Sequence, residues 1–314
     1  MMQLDKFKSV VDVRSPVEFE EDHILNAINI PLLSDEERAI VGTIYKKDKK
    51  EAVDTGMEFV FEKLPLMLKE YEKLKEPILI YCFRGGMRSN SICGLLKGIG
   101  MDVTVLEGGY KEYRKWVREE LDKEIDFELY VLYGLTGSGK TEIISSLDNG
   151  LDLEGLAQHR GSVFGDIGLE PRSQKMFESL LLFRLNELKG VVIIEGESRK
   201  IGSVQIPLVF WNKMQESKKI KLVSDIDERV ERIYKEYCKI LDVSLFSKKL
   251  DIIEKFLGKK KVVELKLMLE KGEIKEVIRV LLLDYYDRLY AHTVDSKEYE
   301  FEIRNKEELL SHFK

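Results

Sequence analysis

The sequence is short of cysteine. Three occur in 314 residues, Cys82, Cys93 and Cys238, with no C-x-x-C pair and no framework for disulfides. That excludes a disulfide-stapled secreted domain and points to a reducing, cytoplasmic setting. No apolar run approaches the ~18 residues that a membrane span requires, so no membrane partner is expected. The opening stretch MMQLDKFKSVVDV is too short and too charged to read as a signal peptide. Basic residues are in deficit: 51 Lys and Arg against 57 Asp and Glu leave a net charge of −6. A protein coated in positive charge for indiscriminate nucleic-acid binding is excluded; a local basic patch is not. There is no internal repeat of fixed period and no low-complexity segment.

What is present alternates. Residues 9–13 (SVVDV), 78–82 (ILIYC) and 102–106 (DVTVL) are short, β-branched and almost continuously apolar, the pattern of strands buried on both faces. Helical stretches at 58–75 and 88–99 separate them, with Pro65 expected to break or kink the first. An acidic, helix-like stretch after Trp116 puts a domain boundary near residue 125, giving domains 1–124 and 125–314. A second unit then opens with ELYVLY (128–133) as a strand. VVIIE (191–195) and IKLVS (220–224) read as further buried strands, and residues 226–290 as mainly helical. The expectation is an α/β chain: one parallel-sheet domain, then a second α/β domain with a helical C-terminal part.

Gly134-Leu-Thr-Gly137-Ser138-Gly139-Lys140-Thr141 satisfies G-x-x-x-x-G-K-[ST] at every position, between an expected strand and an expected helix. Glycines let backbone N–H groups converge on phosphate oxygens. Lys140 adds a mobile positive charge, and Thr141 can ligate Mg²⁺. A di- or triphosphate ligand follows; the loop grips phosphates and leaves the attached group open. Glu195, ending the next apolar run, is the second candidate Mg²⁺ ligand, and Glu197 and Arg199 follow it toward the same edge.

In YCFRGGMRS (81–89), Cys82 ends an apolar run and precedes a glycine pair and two arginines, Arg84 and Arg88. A turn that wraps backbone amides around a thiol forms an anion nest, and adjacent arginines favour the thiolate. Cys93 lies on an apolar helix and reads as packing; Cys238 has no special neighbours.

The stretch VVDVRSPVEFEEDHILNAINIPL (10–32), the Cys82 loop and LEGGYKEYRKW (106–116) resemble the rhodanese fold over about residues 7–118. The usual rhodanese loop is one residue shorter; the longer spacing resembles the phosphatases of that fold. A rhodanese-like domain followed by a P-loop NTPase-like domain is the arrangement of the tRNA 2-selenouridine synthases. The chain resembles that family in Glu36–Lys46, in Tyr81–Ser89, in Asp152–Ser162 with Phe164-Gly165, in Gln174–Glu178 and in Glu197–Gly202. It departs at Phe83, where the family more often has Trp, and after Asp287, where Pro is expected. The resemblance implies conversion of 2-thiouridine to 2-selenouridine at the tRNA wobble position, through an S-geranyl intermediate, with geranyl diphosphate and selenophosphate as substrates. It implies Cys82, Arg84 and Arg88 as the selenium-transfer site. A diphosphate would sit on Gly134, Gly137, Ser138, Gly139, Lys140, Thr141 and Arg199. His159, Arg160 and Glu197 are tRNA or substrate candidates, with Phe164 a possible stacking partner for a base. Residues 245–280 hold ten Lys/Arg against six Asp/Glu, a candidate surface for tRNA phosphates. Two other readings remain: a Cys phosphatase or arsenate-reductase-like enzyme with a nucleotide-binding regulatory domain, and a non-enzymatic nucleotide-binding protein.

Overall fold

The structure is a computed structural model that describes residues 4–238 and 242–313. The chain divides into two compact units: residues up to Leu121 with Glu178–Leu182, and Asp122–Phe177 with the residues from Phe183 onward.

The first unit runs Ser9–Asp12 (β1), Pro16–Glu21 (α1), Ile28–Asn29 (β2), Asp35–Tyr45 (α2), Lys49–Tyr71 (α3), Ile78–Tyr81 (β3), Met87–Gly98 (α4), Val103–Val105 (β4) and Gly109–Leu121 (α5). Its sheet has the order β2-β1-β3-β4 and every pairing is parallel. All four residues of β3 are buried, as its unbroken apolar run requires. Val11, Ile80, Ile92, Leu96 and Val103 fill the core with Cys93 among them, so Cys93 is a packing residue. One expectation needs correcting. Pro65 does not break its helix: α3 starts earlier than expected and passes through it as one element of 23 residues. Proline costs one main-chain donor there, and a helix this long, capped by Asp48 and packed along α2, keeps the rest of its ladder.

The second unit begins with Glu128–Tyr133 (β5), Lys140–Ser145 (α6), Gly150–Leu151 (β6), Leu153–Ala157 (α7), Gln174–Glu187 (α8) and Val191–Glu195 (β7). A small hairpin, Lys200–Ile201 (β8) and Val204–Gln205 (β9), leads to Leu208–Glu216 (α9) and Lys218–Leu222 (β10). Then come Ile226–Tyr237 (α10), Val243–Ile252 (α11), Glu254–Leu257 (α12), Lys259–Glu270 (α13) and Ile274–Leu281 (α14). A π-helical turn, Leu282–Tyr286, runs into Asp287–Asp295 (α15), and Phe301–Ile303 (β11) and Lys306–Ser311 (α16) complete the unit. The sheet order is β11-β10-β5-β7-β6, parallel throughout. Strand β5, which leads into the phosphate loop, is therefore central.

The mainly helical reading of 226–290 holds for the described residues; 239–241 lie outside them. These helices have their own core, with Val230, Leu250, Leu265, Val277, Leu281 and Tyr285 buried together. Strand β11 was not legible in the sequence. It is three residues long and only one of them is buried.

Candidate functional site

Each unit presents one loop at the carboxyl edge of its parallel sheet, the edge where such sheets place their ligands. In the first unit Asp12 of β1 pairs with Tyr81 of β3, so Cys82 leaves the sheet at that edge. The thiol is only 4% exposed. Its Sγ lies 3.2 Å from Ser89 Oγ, and the backbone N–H groups of Ser89, Arg84 and Gly86 are turned toward it. Burial alone would push the thiol up. The hydrogen bonds from Ser89 and the loop amides outweigh burial and lower it, so the nest favours thiolate.

The loop takes its shape from the segment before α5. Tyr110 N–H donates to Cys82 O and Lys111 N–H to Phe83 O, both at 2.9 Å. Gly109 has φ +59, and a Cβ there would lie 2.3 Å from both Cys82 O and Gly85 N. The glycine pair of LEGGY is thus what lets α5 close on the back of the nest. Asn90 Nδ2 donates to the carbonyls of Gly85 and Gly86, fastening the front. The two arginines differ. Arg84 is exposed and has no carboxylate at ion-pair distance among the described residues. Arg88 donates to Glu18 Oε2 at 2.9 Å, and Arg38 pairs with the same carboxylate at 3.0 Å. Arg88 therefore shares one carboxylate with Arg38, and the three groups together keep one net positive charge beside the loop. No feature of the sequence paired Glu18 with residue 88.

In the second unit the loop from Gly134 to Gly139 joins β5 to α6. Lys140 Nζ donates to Gly134 O at 2.9 Å, which leaves two ammonium donors for a ligand. Ser138 Oγ is buried without a hydrogen-bond partner among the described residues. An orphaned hydroxyl inside a phosphate-type loop is the group that an incoming oxyanion satisfies. Leu132 of β5 pairs with Glu195 of β7, so the parallel register carries Glu195 to the loop. Thr141 Oγ1 lies 3.2 Å from Glu154 Oε2 and 3.5 Å from Glu195 Oε2, and Glu154 N–H donates to Glu195 Oε1 at 2.7 Å. Burial, reinforced by the charge of Glu197, pushes Glu154 up to about 8 despite Lys140. Burial also raises Glu195 and Glu197.

The loop opens into a cavity of about 1100 Å³. Lys140, Thr141, Glu154, Glu197, Arg199 and Arg232 supply polar lining. Leu269, Val277, Leu281, Leu282, Tyr286 and Tyr290 supply an apolar wall from the C-terminal helices. A site this size, lined by many charged and polar groups and by a set of apolar side chains, suits an amphiphilic ligand.

Residues 127–314 match the tRNA 2-selenouridine synthase AAA domain, and residues 1–115 match the rhodanese-like domain. The chain belongs to the tRNA 2-selenouridine synthase family. A tRNA 2-selenouridine synthase of Psychromonas ingrahamii is 31% identical over 94% of this chain and 90% of its own. One from Pseudomonas aeruginosa is 34% identical over 97% and 93%. One from Nitrosomonas europaea is 38% identical over 73% and 63%.

Of the stretches that resemble the tRNA 2-selenouridine synthases, Tyr81–Ser89 is the cysteine loop, and Asp152–Ser162 and Glu197–Gly202 contribute residues to the cavity lining, while Glu36–Lys46 runs along α2 and Gln174–Glu178 opens α8. Arg160 and Glu197 line the cavity, whereas His159 does not. His159 Nδ1 instead accepts from Gly161 N–H at 3.1 Å, holding the 159–161 turn, and burial lowers its pKa. Arg160 pairs with Glu236, donates to Ile167 O and sits over the Tyr237 ring. Arg199 donates to Ile206 O at 3.3 Å while lining the cavity. Phe164 is 4% exposed and packs on Phe246 in the helical core, the commoner place for a phenylalanine, and it also lines the cavity. Of the basic residues in 245–280, Lys249, Lys261, Lys266, Lys275 and Arg279 are spent on carboxylates. Sequence reasoning missed Glu154, which no strand end marks, and the entire apolar wall, whose members read only as core.

As to Mg²⁺, no group of three or more His, Cys, Asp or Glu among the described residues forms a ready-made cage. The donor set nevertheless fits that ion. Thr141 Oγ1 with Glu195 and Glu154 provides hard oxygens, a bound cation would favour the ionised carboxylates that burial disfavours, and Mg²⁺ characteristically takes its other ligands from phosphate and water.

Proposed function

We propose that this chain is a tRNA-modifying transferase that converts 2-thiouridine at the wobble position to 2-selenouridine by two transfers at two sites. In the first, the 2-thio sulfur attacks C1 of geranyl diphosphate. A C–S bond forms, the C–O bond breaks, diphosphate leaves with the electron pair, and the base gives up its N3 proton to solvent. The supporting observation is the single cavity that joins the phosphate loop, with its orphaned Ser138 hydroxyl, to an apolar wall of C-terminal helices. A prenyl diphosphate has that combination of head and tail. Lys140 and the loop amides hold the leaving diphosphate as its charge grows, and Arg199 adds a donor at the same lining. Thr141, Glu195 and Glu154 would hold Mg²⁺, which when bound neutralises leaving-group charge. Leu281 and Tyr286, on the same lining, would shield the allylic carbon from water.

In the second transfer, selenium from selenophosphate replaces the geranylthio group at C2 of the base. The C–Se bond forms, the C–S bond breaks, and geranylthiolate leaves and takes up a proton. The selenium-to-phosphorus bond is cleaved by water, releasing phosphate. The buried Cys82 nest, with amide donors converging and Arg84 free at its rim, suits a tetrahedral selenophosphate. Tyr81–Ser89 belongs to this chemistry in the reading we favour. The test is mass spectrometry of the wobble nucleoside after 2-thiouridine tRNA is incubated with protein, Mg²⁺ and geranyl diphosphate, with and without selenophosphate. S-geranyl-2-thiouridine alone, then 2-selenouridine on adding selenophosphate, is expected. Unmodified 2-thiouridine in both would overturn the reading. Cys82-dependent turnover of a generic phosphate ester would then favour the phosphatase instead.

A further inference from the structure

The phosphate loop and the apolar wall come from segments far apart in sequence, and one buried ion pair ties them together. Arg229, on α10, is 3% exposed. Its Nη1 and Nη2 donate to Asp287 Oδ2 and Oδ1 at 2.9 and 2.6 Å, and its Nε donates to Thr136 O of the phosphate loop at 2.8 Å. The next residue, Gly137, has φ +77, and a Cβ there would lie 2.8 Å from Ile233 Cδ1 and 3.2 Å from Arg229 O. Only glycine lets α10 come this close to the loop. Asp287 opens α15 directly after the π-helical turn. Its neighbours Tyr286 and Tyr290 line the cavity, their rings stacked with centroids 6.3 Å apart.

We propose that Arg229 and Asp287 are positioning residues for transfer from the diphosphate. The pair holds the phosphate loop at a set distance from the helix carrying Tyr286 and Tyr290, so one ligand engages both with head and tail. This rests on the reading of the cavity as a prenyl diphosphate site. The chemistry requires arginine. Its planar fork grips a carboxylate through two nitrogens while the third donates elsewhere; a lysine ammonium cannot hold both partners in that geometry. Asp287 lies just before the position where the family is expected to carry Pro, which gives that stretch a role that does not depend on the proline.

Titration calorimetry in Mg²⁺ with two probes, geranyl diphosphate and inorganic diphosphate, tests the tether. Arg229→Lys keeps the buried charge and frees the loop. It is expected to weaken geranyl diphosphate about tenfold and inorganic diphosphate less than threefold, because only the former spans loop and wall. Asp287→Asn should act in the same direction, and Asp287→Glu should recover part of the loss. Thermal unfolding of each variant accompanies the titrations. Equal weakening of both probes would mean that the pair shapes only the loop, and no weakening of either that it shapes neither; both overturn the tether alone. Wild-type protein that binds the two probes equally would overturn the prenyl diphosphate reading and the tether with it.

Discussion

Replacing Gly109 by alanine tests whether the turn before α5 templates the Cys82 nest. The new Cβ would lie 2.3 Å from Cys82 O and Gly85 N, against 3.4 Å or more for ordinary contact. One of these backbone segments must retreat by about 1 Å in a close-packed interior. The left-handed conformation at φ +59 adds about 1–2 kcal/mol for a residue with a side chain. Retreat also weakens the bonds from Tyr110 and Lys111 to Cys82 and Phe83, each worth about 1 kcal/mol. The local cost is therefore about 3 kcal/mol, or about a hundredfold in the opening equilibrium. Amide hydrogen exchange over residues 82–90 and 106–113 measures it. Site-resolved alkylation of Cys82 at neutral pH measures the consequence, which should be a slower reaction as the amide donors leave the sulfur. Exchange within threefold of wild type in both segments would refute the template. Faster exchange with unchanged alkylation would refute its link to the thiolate.

Cys82→Ser should stop selenium transfer and let S-geranyl-2-thiouridine tRNA accumulate, read by nucleoside mass spectrometry; selenouridine made by this variant would remove Cys82 from the mechanism. Ser89→Ala removes a donor that favours the thiolate, so the thiol titrates higher. Its alkylation-versus-pH curve should move to higher pH and meet the wild-type curve where both thiols are ionised; an unmoved curve assigns Ser89 to the Gly86 carbonyl instead. Lys140→Ala should abolish geranylation while selenium transfer to previously geranylated tRNA persists. Geranylation that survives it would take the diphosphate away from this loop.

Much of this was legible because the chemistry is local. GLTGSGKT needs its residues in one turn, and it lies between β5 and α6 where strand and helix signals placed it. The run VVIIE coincides with β7, because a strand buried on both faces must be apolar along its length. The Cys82 loop was legible for the same reason, with nucleophile, glycines and arginines within eight residues. Legibility failed where a residue's role depends on a partner distant in sequence. Arg88 reads as an unpaired cation until Glu18, 70 residues away, is found bonded to it. Nothing in the spacing shows that the His159 ring accepts from the Gly161 amide and shapes its own turn. Phe164 reads as either core or stacking partner, and only the packing of α11 shows that Phe246 lies against it.

The sequence by itself determined two α/β units, a phosphate loop, a cysteine nest and the resemblance to one family, since each rests on spacing within a short segment. Only the tertiary structure decided which carboxylates meet Thr141, which arginine of the cysteine loop meets Glu18, and that Leu281 and Tyr286, buried in the helical core, also line the phosphate cavity. The reason is geometric. Parallel register brings Glu195 beside Leu132, and the close approach of α10 at Gly137 brings Arg229 and Asp287 to the loop. Neither register nor helix packing is written in the spacing of any one segment.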